Sequence, residues 1–308
     1  MRVLVLGAAA GGGFPQWNAG SAACMRARRG DPAARPATQA SIALSADGER
    51  WVVVNASPDL RQQIEANPPL WPRRGPRHSP IAAVVVTNGD VDAVAGLLHL
   101  REGTPFALYA SPRTLAVLDR NPIFEVLDRR LVPRRPLPFE EPFRLRDAAG
   151  EELGLEAVAF PVPGKPPLYL EGEYGERLVT DAEEGDVVGV EFRARGYRVV
   201  YVGNVARIDD SLRARLAGAE VVFVDATLWR DDEMIRAGVG AKTGRRMGHV
   251  SVSGPDGVLA RLADLPIGRR ILIHVNNTNP ILLADSPERR EVEAAGFEVA
   301  HDGMEIVP

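Results

Sequence analysis

The segment from Val84 to Ala93 constrains the fold of this chain more than any other. Three consecutive valines, Val84 to Val86, lead through Thr87 into a short polar loop that contains Asp90 and Asp92. A β-branched run of this length that ends in turn residues is typical of a strand buried on both faces. The pattern therefore predicts a buried strand that delivers two carboxylates to one edge of a sheet.

Similar short runs recur along the chain, and helical periodicity separates them. Predicted strands are Val3–Leu6, Ser41–Leu44, Trp51–Asn55, Ile81–Thr87, Phe106–Tyr109, Val199–Val202, Val221–Asp225 and Ile271–His274. Predicted helices are Pro58–Ala66, Asp92–Arg101, Pro112–Arg120, Asp209–Leu216, Gly254–Ala263 and Glu288–Ala295. The second half repeats the strand and helix order of the first, which favours two sheets packed face to face and flanked by helices. We expect 1–308 to form one domain, with 129–150 as a loop or edge strand and 161–186 as a long functional loop.

Composition and charge exclude several classes of protein. The chain has 41 acidic and 37 basic residues, a net charge of −4, and therefore no positive field to attract nucleic acid. Cys24 is the single cysteine, so no internal disulfide can form and a reducing cytoplasm is expected. No apolar run approaches the ~20 residues that span a bilayer, so no membrane association is expected.

A glycine-rich stretch, Gly7 to Gly13, follows the first predicted strand. It lacks the Lys-Ser/Thr pair of a phosphate-binding loop, and the residues after it do not start a helix that could hold an anion. We interpret it as a tight turn that places backbone near a site.

The loop carboxylates have two possible roles. Asp90 and Asp92 can both point into a cavity at the strand end, where they suit a divalent metal or a general base. Alternatively, Asp92 caps the following helix and Asp90 is a solvated turn residue.

The loop resembles the metal loop of the metallo-β-lactamase superfamily, T-H-x-H-x-D-H-x-G. The corresponding residues here are Thr87, Asn88, Asp90, Asp92, Ala93 and Gly96, and later segments follow the same order: Tyr201 to Asn204, Val222 to Thr227, Met247 to His249 and Ile271 to His274. The resemblance implies an α/β fold, the αββα four-layer sandwich, with a site where the loop meets His249 and His274.

Within the superfamily, long blocks are similar to the family of pyrroloquinoline quinone (PQQ) biosynthesis B proteins, PqqB. Among these blocks are LGAAAGGGFPQWN, RHSPIAAVVVTNGDVDAVAGLLHLREG, IRAGVGAKTGRRMGH and HVNNTNP. The resemblance implies an enzyme of PQQ synthesis, an iron- and oxygen-dependent hydroxylase that acts on the tyrosine ring of a Glu-Tyr cross-linked precursor. The alternative is a non-catalytic protein that binds or carries a PQQ precursor after losing metal ligands.

The resemblance also implies a ligand set. It assigns a metal to Asp90, Asp92 and His274, with Fe(II) as the cofactor and zinc as a substitute in purified protein, and catalytic roles to His249 and Asp225. The family's histidine after the second aspartate is replaced by Ala93. Its cysteine cluster is reduced to Cys24, so no structural zinc is expected. The zinc hydrolases of the superfamily are disfavoured because Asn88, Ala93 and Asn204 remove most of a two-metal ligand set.

The substrate is expected to be a small peptide-derived or amino-acid-like precursor with carboxylates. A basic, glycine-rich run contributes Lys242, Arg245 and Arg246, which could orient those carboxylates by charge-assisted hydrogen bonds. Asn276 and His301 complete the candidate substrate-binding set. A solvated positive loop is the alternative for the basic run. A homodimer is also possible.

Overall fold

The structure, a computed structural model, describes residues 1–307. The strands are β1 (Arg2–Gly7), β2 (Ser41–Ser45), β3 (Trp51–Val54), β4 (Ile81–Val86), β5 (Ala107–Ala110), β6 (Arg134–Pro136), β7 (Pro142–Arg146), β8 (Glu152–Pro161), β9 (Val188–Ala194), β10 (Tyr197–Val202), β11 (Val221–Asp225), β12 (Arg269–Ile273), β13 (Phe297–Val299) and β14 (Glu305–Ile306). The α-helices are α1 (Ala22–Arg28), α2 (Leu60–Ala66), α3 (Val91–Val94), α4 (Pro112–Arg120), α5 (Glu171–Tyr174), α6 (Asp210–Leu216), α7 (Glu233–Arg236), α8 (Gly244–Met247), α9 (Val258–Leu262) and α10 (Pro287–Ala294). Short 3₁₀ turns cover Pro68–Leu70, Ala95–Leu100, Pro122–Val126, Leu168–Leu170, Gly175–Arg177 and Pro280–Leu282.

The strands form two seven-stranded sheets with matching topologies. The first has the order β14-β1-β2-β3-β4-β5-β6 and the second β13-β12-β11-β10-β9-β8-β7. In each sheet, four neighbouring strands run parallel, β3 to β6 in the first and β10 to β13 in the second, and the other neighbours are antiparallel. The repeat of the first half's pattern in the second half is thereby confirmed.

Alternation of side chains along the central strands creates the layers. In β4, Val85 belongs to the apolar cluster between the sheets, whereas Val84 and Val86 pack with the outer helices. In β11, Phe223 faces the same central cluster and Val224 packs beneath helices on the opposite side. Since both of these central strands bury both of their faces, the layer order is helix, sheet, sheet, helix. The predicted four-layer sandwich is confirmed.

Several predicted helix starts are confirmed with their caps. Ser111 accepts a hydrogen bond from the N–H of Thr114 and precedes a proline at the first position of α4. Asp209 caps α6 through the N–H of Leu212 in the same way. These side chains satisfy backbone donors that a helix N-terminus leaves free.

The two irregular segments behave differently from each other. Residues 129–150 contain β6 and β7, which are the edge strands of the two sheets, so the edge-strand expectation is confirmed. Residues 161–186 contain short helical turns and line one side of the cavity described below. No helix within 1–307 is long and apolar enough to cross a membrane. The single-domain boundary of 1–308 stays a prediction.

Candidate functional site

A cavity of about 740 Å³ opens at the edge where the central strands of both sheets end. Its polar floor comes from the turns that follow β4, β10, β11 and β12, which carry Asp90, Asn204, Thr227 and His274, and from Asp92 in α3. Loops at the carboxyl ends of parallel strands commonly form ligand sites, because those ends converge at one edge of a sheet. The glycine-rich turn after β1 closes another side of this cavity.

A chain of hydrogen bonds crosses the cavity floor. The Asp92 Oδ2 atom lies 2.9 Å from His274 Nε2, and His274 Nδ1 lies 2.8 Å from the Thr227 hydroxyl. Thr227 donates its proton to Asp225 Oδ1 at 2.7 Å, so its oxygen accepts from His274. This assignment places an N–H on both ring nitrogens of His274.

Within this series of hydrogen bonds, Asp92 and His274 stabilise each other's charged forms. Burial alone would lower the pKa of His274, but its hydrogen bond to Asp92 and the nearby carboxylates raise it. Burial would raise the pKa of Asp92, but the hydrogen bond and the charge of His274 outweigh that effect and lower it. The contact between Asp92 and His274 therefore favours the charged form of each group.

Asp225 holds His249 in place from behind the cavity wall. Its side chain is fully buried, and Oδ2 lies 2.7 Å from His249 Nδ1. The two oxygens also accept hydrogen bonds from the N–H of Val205, the N–H of Thr227 and the Thr227 hydroxyl. Burial would raise the pKa of Asp225, but the charge and the hydrogen bond of His249 lower it. Asp225 is thus an ionised, fully occupied acceptor that orients the imidazole.

Asp90 has a different environment from the other carboxylates. Its Oδ1 accepts a hydrogen bond from the N–H of Leu168 at 3.1 Å. Desolvation and then the negative charge of Asp92 raise the pKa of Asp90. A bound cation would favour the ionised form of Asp90, because it would offset both the burial and the charge of Asp92.

Asp225, His249 and His274 are close enough together for their ligand atoms to hold a metal ion. One ligand atom each from Asp225, His249 and His274 lies within 4.8 Å of the other two, and the two imidazole rings stack with centroids 5.3 Å apart. Because the Asp225 oxygens already accept four hydrogen bonds, the donors open to the cavity are Asp90, Asp92, His249 and His274. Such a mixed carboxylate and imidazole set suits iron(II) or zinc.

The neighbouring position is occupied by neutral amides. Asn88 Nδ2 donates to Asn204 Oδ1 at 3.3 Å, and Asn88 Oδ1 accepts the N–H of Asp90 at 2.9 Å. Ala93 is buried in the apolar cluster outside the first sheet and offers no donor atom. This side of the floor therefore lacks the charged ligands of a second metal.

Comparison with known proteins places the chain in a family. A family model described as a beta-lactamase superfamily domain matches residues 50–275. The coenzyme PQQ synthesis protein B of Gluconacetobacter diazotrophicus is 55% identical over 304 residues, which cover 99% of this chain and 98% of that protein. The chain belongs to the PqqB family. The crystal structure of Zn²⁺-bound PqqB from Methylobacterium extorquens has a TM-score of 0.95, with 51% identity and complete coverage of both chains.

A more distant structure shares only the fold with this PqqB chain. A diphosphatase of the PhnP family has a TM-score of 0.68 at 21% identity and covers 99% of this chain and 97% of its own.

The structure places the predicted metal and catalytic residues of the PqqB chain together. Asp90, Asp92, His249 and His274 line one cavity, and Asp225 lies directly behind His249. The alternative of Asp92 as a helix cap is wrong, because Asp90 precedes α3 and the Asp92 carboxylate bonds His274 instead. Their roles in metal binding and catalysis stay predictions.

The predicted substrate-binding residues divide into two groups. Lys242 and Asn276 line the cavity, and Arg246 reaches Glu171, another lining residue. Arg245 instead points into a separate surface groove with Asp181 and Arg207, since consecutive residues of α8 project in different directions.

His301 also lies away from the cavity. Its Nδ1 atom is 3.1 Å from a guanidinium nitrogen of Arg35 and 3.1 Å from the Asp302 carbonyl oxygen. The Asp302 carboxylate binds the Thr38 backbone and hydroxyl rather than His301. The structure therefore does not bring His301 to the predicted substrate site.

Two cavity residues have no signal in the sequence. Lys165 and Glu171 belong to the irregular segment 161–186, where no periodic pattern indicates which side chains turn inward. The interpretation of the glycine-rich turn as backbone close to a site is confirmed, because a Cβ on Gly11 would lie 3.4 Å from Asp92 Oδ2.

Proposed function

We propose that this chain acts in PQQ synthesis as an iron(II)- and oxygen-dependent hydroxylase of the tyrosine ring in a Glu-Tyr cross-linked precursor. Membership of the PqqB family supports the pathway. The observation that carries the chemistry is the contact between Asp92 and His274 on the cavity floor, beside Asp90. Three ligands on one side of a metal leave coordination positions free, as the two histidines and one carboxylate of non-haem iron(II) oxygenases do; here two carboxylates and one imidazole would take that place.

These side chains would have distinct tasks. Asp90, Asp92 and His274 would hold the iron, which supplies oxygen activation when bound. Hydroxylation replaces a ring C–H by C–OH, so a base must take the ring proton, and an external reductant must supply two electrons to convert the second oxygen atom to water. His249 faces the cavity and is the candidate base, because Asp225 would stabilise the imidazolium that forms.

The remaining lining residues suit an aromatic, charged substrate. Val91, Leu168, Tyr169, Met234 and Met247 provide an apolar wall for a tyrosine ring. Lys242 and Asn276 provide polar contacts for a peptide-derived precursor. Zinc can use the same carboxylate and imidazole donors, as supported by the zinc-bound PqqB structure. A cytoplasmic location and a homodimer stay predictions.

A binding or carrier protein is the second candidate. Ala93 favours it, because a buried methyl group stands where the resemblance implies a ligand histidine. The ionic pair of Asp92 and His274 also satisfies both groups without a metal. Such a protein would bind the precursor and release it unchanged.

Anaerobic iron(II) titration followed by oxygen, a reductant and the precursor separates the two candidates. An enzyme binds one iron per chain and yields a product heavier by one oxygen atom. Tight binding of the precursor without iron, and no mass change with iron, would reject the hydroxylase. His301→Ala is the matched control for His274→Ala, because it removes an imidazole that lies outside the cavity.

A further inference from the structure

Glu171 is a carboxylate in the cavity wall, and one of its two oxygens is buried. Its side chain is 10% exposed and begins the short helix α5. Lys165 Nζ lies 3.1 Å from Oε1, and Lys242 Nζ and an Arg246 guanidinium nitrogen lie 3.3 and 2.8 Å from Oε2. Burial would raise the pKa of Glu171, but these three cations lower it to about 2. Glu171 is therefore ionised at neutral pH.

The three cations share this one carboxylate. Within residues 1–307, Glu171 is the carboxylate partner that Lys165, Lys242 and Arg246 each have within 4.0 Å. The Glu171 Oε1 atom is buried, and its approach to Lys165 is not aligned as a hydrogen bond. The cluster thus carries more positive charge than Glu171 neutralises, and its fit to Glu171 is incomplete. A second carboxylate of better geometry would compete well for the same donors.

The backbone around Glu171 can give way locally. The turns Leu168–Leu170, Glu171–Tyr174 and Gly175–Arg177 are each three or four residues long, and none has a side-chain cap hydrogen bond. Leu168 is 60% exposed and Tyr169 is 46% exposed, so little buried apolar surface holds this stretch down. Two hydrogen bonds, from Leu168 N–H to Asp90 and from the Tyr169 hydroxyl to the Gly89 carbonyl oxygen, tie this stretch to the loop after β4. Displacing Glu171 would therefore need to move only the short turn that follows these two anchors, and both sheets would stay unchanged.

We propose that Lys165, Lys242 and Arg246 form the subsite that binds a substrate carboxylate, and that Glu171 occupies this subsite until the substrate displaces it. The proposal deepens the proposed function, on which it rests for the substrate class: a tyrosine-containing compound with free carboxylates. Glu171 then determines specificity, because only a ligand that brings its own carboxylate can replace it. Neutral analogues gain nothing from displacing Glu171 and leave the cluster closed.

The test measures binding to metal-free protein by calorimetry with two probes. One probe is the dipeptide Glu-Tyr, and the other is the same dipeptide with both carboxylates converted to amides. Glu171→Gln removes the carboxylate that competes with the dipeptide for the three cations. The variant should therefore bind the dipeptide about tenfold more tightly, because one charge-assisted hydrogen bond no longer has to break before the dipeptide binds. Affinity for the amidated probe should not change.

Control variants distinguish competition from a structural role. Glu173 is on the same helix as Glu171 and forms an exposed ion pair with Arg120. The variant Glu173→Gln removes that ion pair, and its affinity for the dipeptide should equal that of the wild-type protein. Arg246→Gln should weaken dipeptide binding about tenfold. Equal or weaker dipeptide binding by Glu171→Gln, or equal gains for both probes, would overturn the proposal. Because the assay uses no iron or oxygen, failure of hydroxylation leaves this test intact.

Discussion

The two sides of the cavity floor have opposite chemistry. One side joins Asp92, His274, Thr227 and Asp225 in a charged hydrogen-bonded chain. The other side contains the amide of Asn204, which is hydrogen-bonded to Asn88, and nearby Ala93 is buried in the apolar cluster on the outer face of the first sheet. A carboxylate attracts a cation and an amide carries no net charge, so the difference favours one metal ion over two.

The largest expected effect comes from the charged side. His274→Ala removes an imidazole donor and leaves Asp92 without its partner. Iron(II) affinity should fall by more than about 100-fold, since even ligand-supporting contacts are worth about 10–100-fold. Anaerobic titration measures this, with His301→Ala as the control. If His274→Ala binds iron(II) as tightly as the wild-type protein, the metal does not bind on this side of the floor.

The next effect comes from the uncharged side. Ala93→His adds an imidazole beside Asp92, and iron(II) affinity should rise by at least about tenfold. Ala93 is buried among apolar residues, so thermal unfolding must show that the larger side chain is accommodated. A folded variant whose iron affinity equals that of wild type would mean that His249 or water already completes the site.

The ionic pair predicts a pH dependence of stability in the metal-free protein. Because the pKa of His274 is higher in the folded than in the unfolded protein, His274 stabilises the fold fully below about pH 6.5, its pKa in the unfolded chain. This stabilisation is lost as the pH rises through the pKa of His274 in the folded protein. The lowered pKa of Asp92 makes its contribution complete above about pH 3.9 and lost at lower pH. Asp92→Asn should therefore cost roughly 1–3 kcal/mol of unfolding free energy near pH 5.5.

Urea titrations of wild type and Asp92→Asn at several pH values measure that difference. It should shrink above the folded pKa of His274 and below that of Asp92. A difference that stays constant across this range would show that Asp92 contributes through packing rather than charge.

The smallest effect is expected at the amide pair. Asn204→Asp keeps the oxygen that accepts from Asn88 and adds one negative charge. Affinity for the first zinc should change by no more than about fivefold, the range of a single weakly coupled charge. Two zinc ions per chain in the wild-type protein, measured by metal analysis after dialysis, would contradict the one-metal interpretation.

Sequence patterns predict the buried strands and the floor of the site, because both depend on local features. The valine runs of β4 and β11 are short, β-branched and bounded by turn residues, which favours a covered strand, and the turns after both strands lie at the same edge. Strands β8, β9, β13 and β14 are absent from the predicted set, and β6 and β7 are covered only by the expected loop or edge strand at 129–150. Strand β7 is rich in exposed charged residues, and β8 contains glutamates and a glycine among its apolar residues.

Side-chain direction in irregular segments could not be predicted. Arg245 and Arg246 are adjacent in sequence, yet only Arg246 turns toward the cavity wall. The ion pair between Lys165 and Glu171 forms because of the course of the backbone through 161–186. That course depends on tertiary packing rather than on a repeating sequence pattern.

The sequence separation of the site has a consequence for the order of folding. Asp92 and His274 are 182 positions apart, and they follow strands of different sheets, β4 and β12. Neither half of the chain can form their contact before the sheets dock, because closing so long a loop must precede any gain from the contact. The site is therefore completed late, and a metal ion that binds there would slow unfolding of the finished protein more than it would speed its formation.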